Sequence, residues 1–549
     1  MLERPRGETA VWMLVGANGY TLNPRQPRFD ALIVEDGVIT AVGQCQELRL
    51  QLGARVDAVL DVEGATVLPG FVDSHLHVSA VGEQAMQLDL TGVQSKCELL
   101  QQVRERASAL PPGAWLLGAG WDENRFDKAC WPSRQELDEA AGGRPLVLTR
   151  VCHHAYLVNT QALQEAGLGL MPPDPKDGRF VRDERGEVAG LVHDNAIFPI
   201  LRAIPPRSRA EEKQMLRLGM EAALVNGITA VHTDDTRTFG GFAATWTLYH
   251  ELIHQDGVAL RVHELVDSSF LEECRNSLAD LPKPDEWLEV GAAKLFSDGA
   301  LGGRTAWLAE DYTDAPGWRG MPVYSPEELT ARVRAAHELG FAAAVHAIGD
   351  AALDMTLTAL EQGRGGAGLP DRIVHAELVR PDLVRRMQAL GDRIIVDIQP
   401  RFTVSDFPWV KERLGPARLN GVCAWRTLAE AGIGLCGGSD APVEPINPLL
   451  GIHAAVTRRP PHAQGPGFTL SQVLDRETAI RLFTRGACRA NRREAVKGVI
   501  RPGAWADLTV LSRDVLAEAE DALLEARVLW TVVGGCVAYA HNGRMERLR

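Results

Sequence analysis

Two histidines, His75 and His77, directly follow a short apolar run in the chain. The run, residues 65–72, is rich in β-branched residues, which predicts a buried strand. Because side chains alternate along a strand, residues two apart point to the same side, so both imidazoles are expected to face one way. Imidazoles in this arrangement are suited to binding a metal ion. The alternative is a pair of hydrogen-bonded surface histidines, because two ligands alone do not make a metal site.

Eight short apolar runs are spread along the chain, and most of them are separated by stretches with helical spacing. They are residues 68–72, 228–231, 259–262, 290–295, 341–345, 372–374, 394–398 and 433–436. Capping boxes that begin at Ser208 and Ser325 predict helix starts, and Gly227 and Gly340 predict helix ends. Eight parallel strands joined by crossover helices make a (β/α)8 barrel, similar to a TIM barrel, and this is the predicted fold.

Both ends of the chain are rich in short strands and turns. Near the N-terminus, Asp36-Gly37 lies between two apolar runs, which is a strong hairpin signal. We therefore expect a small composite β-sandwich from residues 1–68 and 500–549, and a barrel from residues 69–499. Residues 90–205 are too long for one crossover, so we expect an inserted subdomain or active-site cover after strand one.

The predicted strand ends carry an unusual set of side chains. Catalytic residues of such barrels lie at the C-terminal ends of the strands, where this sequence has His75, His77, Lys294, His346, His375 and Asp440. Four imidazoles, an amine and a carboxylate at one rim favour a divalent metal site that suits zinc, with manganese, iron or cobalt as options. The alternative is that these six residues occur at the predicted strand ends by six independent coincidences and do not form one site.

Five motifs contain these residues. They are Gly70-Phe71-Val72-Asp73-Ser74-His75-Leu76-His77, Lys294-Leu295-Phe296-Ser297-Asp298-Gly299, His346-Ala347-Ile348-Gly349-Asp350, His375-Ala376-Glu377 and Gly438-Ser439-Asp440-Ala441-Pro442-Val443-Glu444. Together they resemble the amidohydrolase superfamily, and within it the amidohydrolase-3 group that includes N-substituted formamide deformylases. The resemblance covers nearly the whole chain. It implies a metal-dependent hydrolase that cleaves a C–N bond of a small organic substrate.

The resemblance also implies roles for the ligands. His75 and His77 would bind the more buried metal, and His346 and His375 would bind a second. Lys294 would be carboxylated on Nζ and would bridge the two, because an unmodified lysine is a cation and repels a metal. The alternative pairs Lys294 with an aspartate, Asp298 or Asp440, and leaves a site with one metal.

For Asp440 the resemblance implies metal binding and proton transfer. A metal ion lowers the pKa of a bound water from about 15.7 towards about 7, and a nearby carboxylate can then accept the water proton and deliver it to the leaving group. The alternative is that Asp440 caps a helix, which is compatible with the catalytic role.

Loop residues are candidates for substrate contacts. Trp121, His154 and Arg304 are predicted to line the substrate pocket, His154 because it matches the group's histidine ahead of a helix. The alternatives are loop core for Trp121 and Arg304, and a packed His–Asn pair for His154. Relatives usually have His-Asp after strand two, whereas this chain has His232-Thr233-Asp234-Asp235, which argues against a role for Asp234.

Composition limits the partners. The net charge is -14 with no Lys/Arg block, which argues against nucleic acid, and 45% of the residues are apolar, as in globular proteins. No apolar run reaches membrane-spanning length, the first residues do not resemble a signal peptide, and the nine cysteines contain no C-x-x-C pair. We therefore expect a cytoplasmic protein with a small-molecule substrate and no membrane partner. By analogy with the family that it resembles, a homodimer stays open.

Two other functions stay open from the sequence. The same metal site would also suit hydrolysis of an ester or lactone, and a non-catalytic binding or regulatory protein could retain the barrel. The six ionisable residues at the strand ends argue against the second alternative, because a scaffold does not need all of them. Among the rim loops, only Arg304 and Arg401 are basic candidates, so we expect a neutral or singly charged amide with an apolar or aromatic N-substituent.

Overall fold

The computed structural model describes residues 11–52, 56–128, 130–152, 154–363, 365 and 368–541. The first residues, in which no signal peptide is expected, lie outside this part. None of the described helices is long and apolar enough to cross a membrane. The chain divides into two compact units, one formed by Met1–Val81 with Gly219–Arg549 and the other by Gly82–Leu218.

The larger unit contains a parallel sheet of eight strands, numbered here in chain order. They are β1 (Phe71–Leu76), β2 (Ile228–Thr233), β3 (Arg261–Asp267), β4 (Leu288–Phe296), β5 (Ala343–Ala347), β6 (Asp371–His375), β7 (Ile394–Ile398) and β8 (Leu435–Gly437). Each strand pairs with the next along the chain. The strands are largely buried, as expected for a parallel sheet covered by helices on its outside. The predicted (β/α)8 barrel is confirmed.

Helices alternate with these strands. Those of the larger unit and its borders are Cys45–Leu52, Val78–Met86, Arg209–Val225, Phe242–His250, Leu271–Ser277, Pro326–Glu338, Asp350–Gln362, Pro381–Leu390, Phe402–Ser405, Phe407–Leu414, Trp425–Glu430, Pro448–Thr457, Arg476–Arg481, Ala487–Arg489 and Ala522–Glu525. The helix Pro326–Glu338 begins at a complete capping box of Ser325 and Glu328. It ends just before Gly340, whose φ of 91° reverses the chain into β5.

Backbone hydrogen bonds connect the last strand to the first. Asp440 donates its N–H to the carbonyl oxygen of His75 at 2.7 Å, and His77 donates its N–H to the carbonyl oxygen of Ala441 at 2.9 Å. The segment after β8 is therefore fixed against the C-terminal end of β1. These two segments carry three of the predicted metal ligands.

The strand predicted over residues 65–72 is two strands in the structure. Thr66–Pro69 belongs to another sheet, and β1 begins at Phe71. Between them, a Cβ atom on Gly70 would lie 2.4 Å from the side chain of Thr229, so only glycine permits this close passage. At its other end β1 extends to Leu76, so His75 lies within the strand instead of after it.

Two further sheets contain the terminal segments of the chain. The six-stranded sheet has the order Cys536–Ala540, Val528–Val533, Leu508–Leu511, Thr66–Pro69, Asn18–Tyr20, Arg28–Phe29, and the four-stranded sheet has the order Val38–Gly43, Ala31–Glu35, Val11–Val15, Ala58–Asp61. The hairpin predicted at Asp36-Gly37 is present. One buried cluster combines Leu32 and Val34 with Leu508 and Val510. The division into a composite domain of residues 1–68 and 500–549 and a barrel of residues 69–499 stays a prediction.

The smaller unit lies between β1 and β2 in the sequence and includes residues 90–205. Its sheet has the order Gly178–Arg182, Val188–Asp194, Ala155–Val158, Leu146–Arg150, Leu116–Trp121, Leu88–Asp89. Its helices are Lys96–Ala109, Arg134–Ala141, Thr160–Glu165 and Phe198–Ala203. A buried cluster that includes Leu99, Leu137 and Leu148 joins helices to sheet. The unit therefore has a hydrophobic core of its own.

Candidate metal centre

Three side chains with metal-binding atoms converge at the C-terminal end of the barrel. His75 comes from β1, His77 follows β1, and Asp440 follows β8. The Nε2 atoms of His75 and His77 lie 3.4 and 3.2 Å from Asp440 Oδ1. One ligand atom from each residue lies within 4.8 Å of the other two. Two imidazoles and a carboxylate at these separations fit one divalent ion, and this donor set suits zinc.

The two histidines differ in their electrostatic surroundings. Burial and then the positive charge of Lys294 lower the pKa of His75 well below its ordinary value, which keeps this imidazole neutral. Burial also lowers the pKa of His77, but Asp234 and Asp440 outweigh it and raise that pKa to about 10. Without a metal, His77 is therefore an imidazolium between two carboxylates. A metal ion at Nε2 takes the place of a proton.

His346 on β5 and His375 at the end of β6 lie next to these residues. The ring centroids of His75 and His375 are 5.7 Å apart, and those of His346 and His375 are 4.5 Å apart. His375 Nδ1 lies 2.7 Å from Gln399 Oε1, an acceptor that places the ring proton on Nδ1 and leaves the Nε2 lone pair for a ligand bond. His346 Nε2 lies 3.1 Å from the carbonyl oxygen of Gly299. Neither residue belongs to the three-residue cluster.

Lys294 on β4 is buried beside the first histidine. Its Nζ lies 3.1 Å from His75 Nε2 and 3.6 Å from Asp234 Oδ2. Asp298, one of the two alternative partners, has other contacts: its carboxylate accepts three backbone N–H bonds at 2.8 to 3.0 Å, from Trp307, Ile348 and Gly349. The ion-pair partner of Lys294 is instead Asp234.

Asp234 is the site residue that the sequence argued against. Its Oδ1 lies 2.5 Å from His77 Nδ1, on the opposite side of the ring from Asp440. The extra threonine between His232 and Asp234 concealed this role, because it moves the acid by one position relative to the usual His-Asp pattern. The signal that remained was a pair of acids immediately after a barrel strand.

The structure does not support a helix-capping role for Asp440. The next helix, Pro448–Thr457, is capped by Asn447, whose Oδ1 accepts the N–H of Leu449 at 2.9 Å. The backbone of Asp440 has a φ of 60°, and the residue is buried. Its carboxylate is directed at the two imidazoles.

Comparisons with known proteins agree with this geometry. The sequence model described as Amidohydrolase family (Amidohydro_3) matches residues 58–539. The chain belongs to the amidohydrolase family. Over 96% of this amidohydrolase and 99% of the relative, it is 39% identical to the Bacillus subtilis (strain 168) protein named "Putative amidohydrolase YtcJ". It is 27% identical to the N-substituted formamide deformylase of Arthrobacter pascens, over 97% and 98% of the two chains.

A solved structure extends the comparison to three dimensions. The crystal structure of an uncharacterized metal-dependent hydrolase from Pyrococcus horikoshii OT3 is similar to this amidohydrolase with a TM-score of 0.75 and 28% identity, covering 93% of this chain and 99% of that one. The resemblance inferred from the strand-end motifs is thus confirmed. Family membership makes the chain a hydrolase of the metal-dependent type, and His75, His77 and Asp440 form its candidate metal site.

Aromatic side chains border the histidines of this amidohydrolase. Phe402 stacks on His375, with centroids 5.7 Å apart and an interplanar angle of 10°. Phe296 lies 5.5 Å from His346, and Lys294 Nζ lies 4.9 Å from the centre of the Phe296 ring. Phe296 belongs to one of the strand-end motifs, but its position beside the site was not predicted from the sequence. These rings lie on one side of the ligand set.

The three predicted substrate contacts have other partners within their own units. Trp121 lies in the core of the smaller unit, 1% exposed, and its Nε1 donates to the carbonyl oxygen of Leu148 at 2.9 Å. This burial favours the loop-core alternative, and a contact between Trp121 and the substrate stays a prediction. His154 is 77% exposed, with Nδ1 3.0 Å from Asp194 Oδ1, so the packed His–Asn alternative does not describe its side chain. Arg304 pairs with a neighbouring loop carboxylate, Asp314, at 2.8 Å.

Proposed function

We propose that this amidohydrolase binds one or two divalent metal ions and hydrolyses a C–N bond of the amide type in a small organic molecule. Zinc is the preferred assignment for the metal, with manganese, iron or cobalt as the other options. The observation that carries the proposal is the convergence of His75 Nε2, His77 Nε2 and Asp440 Oδ1 at one end of the barrel. The deformylase relative, which matches nearly the whole chain, supports a C–N bond as the target.

Asp440 is the residue to which we assign proton transfer. A divalent ion at this site would polarise the substrate carbonyl group and lower the pKa of water. The Asp440 carboxylate then accepts the proton that the attacking water loses, and it returns this proton to the nitrogen as the C–N bond breaks. This return is needed because an amide nitrogen is a poor leaving group as an anion.

Lys294 is proposed to act as a carbamate, formed when the ammonium group loses two protons and Nζ adds carbon dioxide. As an ammonium ion, Lys294 would donate to His75 Nε2 at 3.1 Å and occupy the lone pair that a metal ion needs. Carboxylation replaces this donor by oxygen acceptors and changes the local charge from positive to negative. With Lys294 in this form, His346 and His375 are the residues that would hold a second ion.

The charges near the site favour an uncharged substrate. Arg304 pairs with Asp314, and Arg401 pairs with Glu444 at 3.0 Å, so each of the two basic candidates has an acidic partner. A site for a phosphate dianion is expected to offer several unpaired donors. The rings of Phe296 and Phe402 instead suit an apolar or aromatic N-substituent, attached to a small acyl group.

A substrate panel and metal analysis test the proposal. The purified protein is analysed for bound metal and assayed, with zinc or manganese added, against N-benzylformamide, N-benzylacetamide, benzyl formate and phenyl phosphate. We expect the two amides to be hydrolysed, with little activity on phenyl phosphate. Preference for benzyl formate would make the protein an esterase on the same site, and a metal-free protein that is fully active would refute the metal centre. His77→Ala is the matched variant, expected to lose both metal and activity.

A further inference from the structure

We propose that Asp234 is a positioning residue that fixes the ring of His77, so that Nε2 of this imidazole faces the metal site. The inference rests on the proposed metal centre. Asp234 Oδ1 lies 2.5 Å from Nδ1, whereas Nε2, across the ring, lies 3.2 Å from Asp440 Oδ1. When the Nδ1–H of a histidine donates to a carboxylate, its tautomer and ring orientation are fixed and Nε2 becomes a better ligand.

The Asp234 carboxylate is itself held in place. Its side chain is only 7% exposed, and its second oxygen, Oδ2, lies 3.6 Å from Lys294 Nζ. Each oxygen of the carboxyl group therefore has a separate partner. The group contacts two predicted ligand residues without belonging to the three-residue cluster.

The next residue, Asp235, anchors the backbone that carries Asp234. Its Oδ2 accepts the hydroxyls of Thr233 and Tyr249, both at 2.6 Å, and its N–H donates to Glu264 Oε1 at 2.9 Å. All of these groups are buried. The turn after β2 is thus fixed independently of any metal ion.

The same groups also fix the segment that carries His77. Val78 donates its N–H to Thr233 Oγ1 at 3.1 Å, and Ser79 donates its N–H to Asp235 Oδ1 at 3.0 Å. Both sides of the contact between His77 and Asp234 are therefore tied to one buried cluster. The two adjacent acids have different tasks: Asp235 holds the backbone, and Asp234 holds the ring.

The affinity of the metal-free protein for Zn²⁺ alone tests this inference, measured by competition with a chromophoric chelator. We expect Asp234→Ala to bind Zn²⁺ about 10- to 100-fold more weakly, the usual effect of removing a residue that orients a ligand. Asp234→Asn keeps an oxygen beside Nδ1 without the charge, so about a fivefold loss is expected. Asp371→Asn is the matched control. It alters a buried contact of 2.9 Å between a carboxylate and a histidine, His337, at the start of β6, and should leave Zn²⁺ affinity unchanged.

The outcomes separate this inference from the proposed function. If His77→Ala loses Zn²⁺ affinity but Asp234→Ala retains it, the positioning role is overturned and the metal centre stands. If His77→Ala retains wild-type affinity, the metal centre itself is overturned. A purely structural role for Asp234 would lower the melting temperature of the metal-free protein and leave the Zn²⁺ affinity of the folded protein unchanged. If the alanine variant does not fold, Asp234→Leu replaces it, because leucine fills the space without an acceptor for Nδ1, and wild-type affinity in that variant would equally refute positioning.

Discussion

Replacing Asp440 by Asn removes a charge from the centre of the site and changes little else. The backbone of Asp440 has a φ of 60°, a conformation that Asn and Asp tolerate better than other non-glycine residues. Its backbone N–H bond to the carbonyl oxygen of His75, at 2.7 Å, does not involve the side chain. The asparagine variant therefore keeps the connection between β8 and β1 and an oxygen in the position of Oδ1. What it loses is the ability to accept and return a proton.

The size of the effect follows from this role. Asp440 Oδ1 lies 3.2 and 3.4 Å from the Nε2 atoms of His77 and His75, so it is within reach of a water held between them. Acid–base catalysis contributes about 10²- to 10⁴-fold to a rate. We expect kcat to fall by about 10²-fold or more, which corresponds to a barrier higher by at least about 2.7 kcal/mol. The two histidines remain, so the variant should keep much of its metal.

The assay combines kcat for an N-benzyl amide across pH with metal content per chain. Asp371→Asn, at the opposite end of the barrel, is the control for loss of a buried carboxylate and should retain wild-type kcat. Turnover by Asp440→Asn comparable to wild type at every pH would refute the proton-transfer role. Loss of all metal together with activity would instead assign Asp440 to metal binding alone.

Three further predictions concern stability, metal and lysine chemistry. Asp507→Asn leaves two buried cations, Arg261 and Lys497, without their carboxylate, and should lower the free energy of unfolding in urea by about 3–5 kcal/mol. These cations outweigh burial and lower the pKa of Asp507. The stabilisation is therefore present above pH ~4 and is lost as the pH falls further, so the stabilities of variant and wild type should converge in acid. Removal of the metal by a chelator should abolish amide hydrolysis, and added Zn²⁺ should restore it. His346→Ala should also lose activity with an unchanged unfolding midpoint, and wild-type activity and metal content in this variant would refute the β5 ligand. Added bicarbonate should raise activity recovered from metal-free wild type but not from Lys294→Arg, and equal recovery in both would contradict the carbamate.

The barrel was predictable because its strands are buried on both faces. Such strands appear in a sequence as short, continuous apolar runs, and the segments between them carry local helix signals such as the capping box at Ser325. The start of β1 was not predictable in this way. Its break at Gly70 depends on Thr229, a residue on the next strand, and no local pattern in the sequence indicates that contact.

The candidate site was predictable to the extent that it depends on backbone position. His75, His77 and Asp440 follow from the rule that catalytic residues lie at the ends of strands, because strand order alone brings these positions together. Trp121 and Asp234 depend on the direction of a side chain. Trp121 turns into a hydrophobic core and Asp234 turns towards an imidazole, and neither direction can be inferred from the residue type or from its spacing.

Four aspartates near the C-terminal ends of the strands show what decides the role of a carboxylate here. Asp298 accepts three backbone N–H groups and so holds a loop, and Asp235 accepts hydroxyl and backbone donors and so holds a turn. Asp234 contacts an imidazole from the side away from the site. Asp440 is fixed through its backbone, and its carboxylate faces two ligand nitrogens. Asp298, Asp235 and Asp234 thus hold a loop, a turn and a ring, and we assign proton transfer to Asp440 because its carboxylate faces the ligand nitrogens directly.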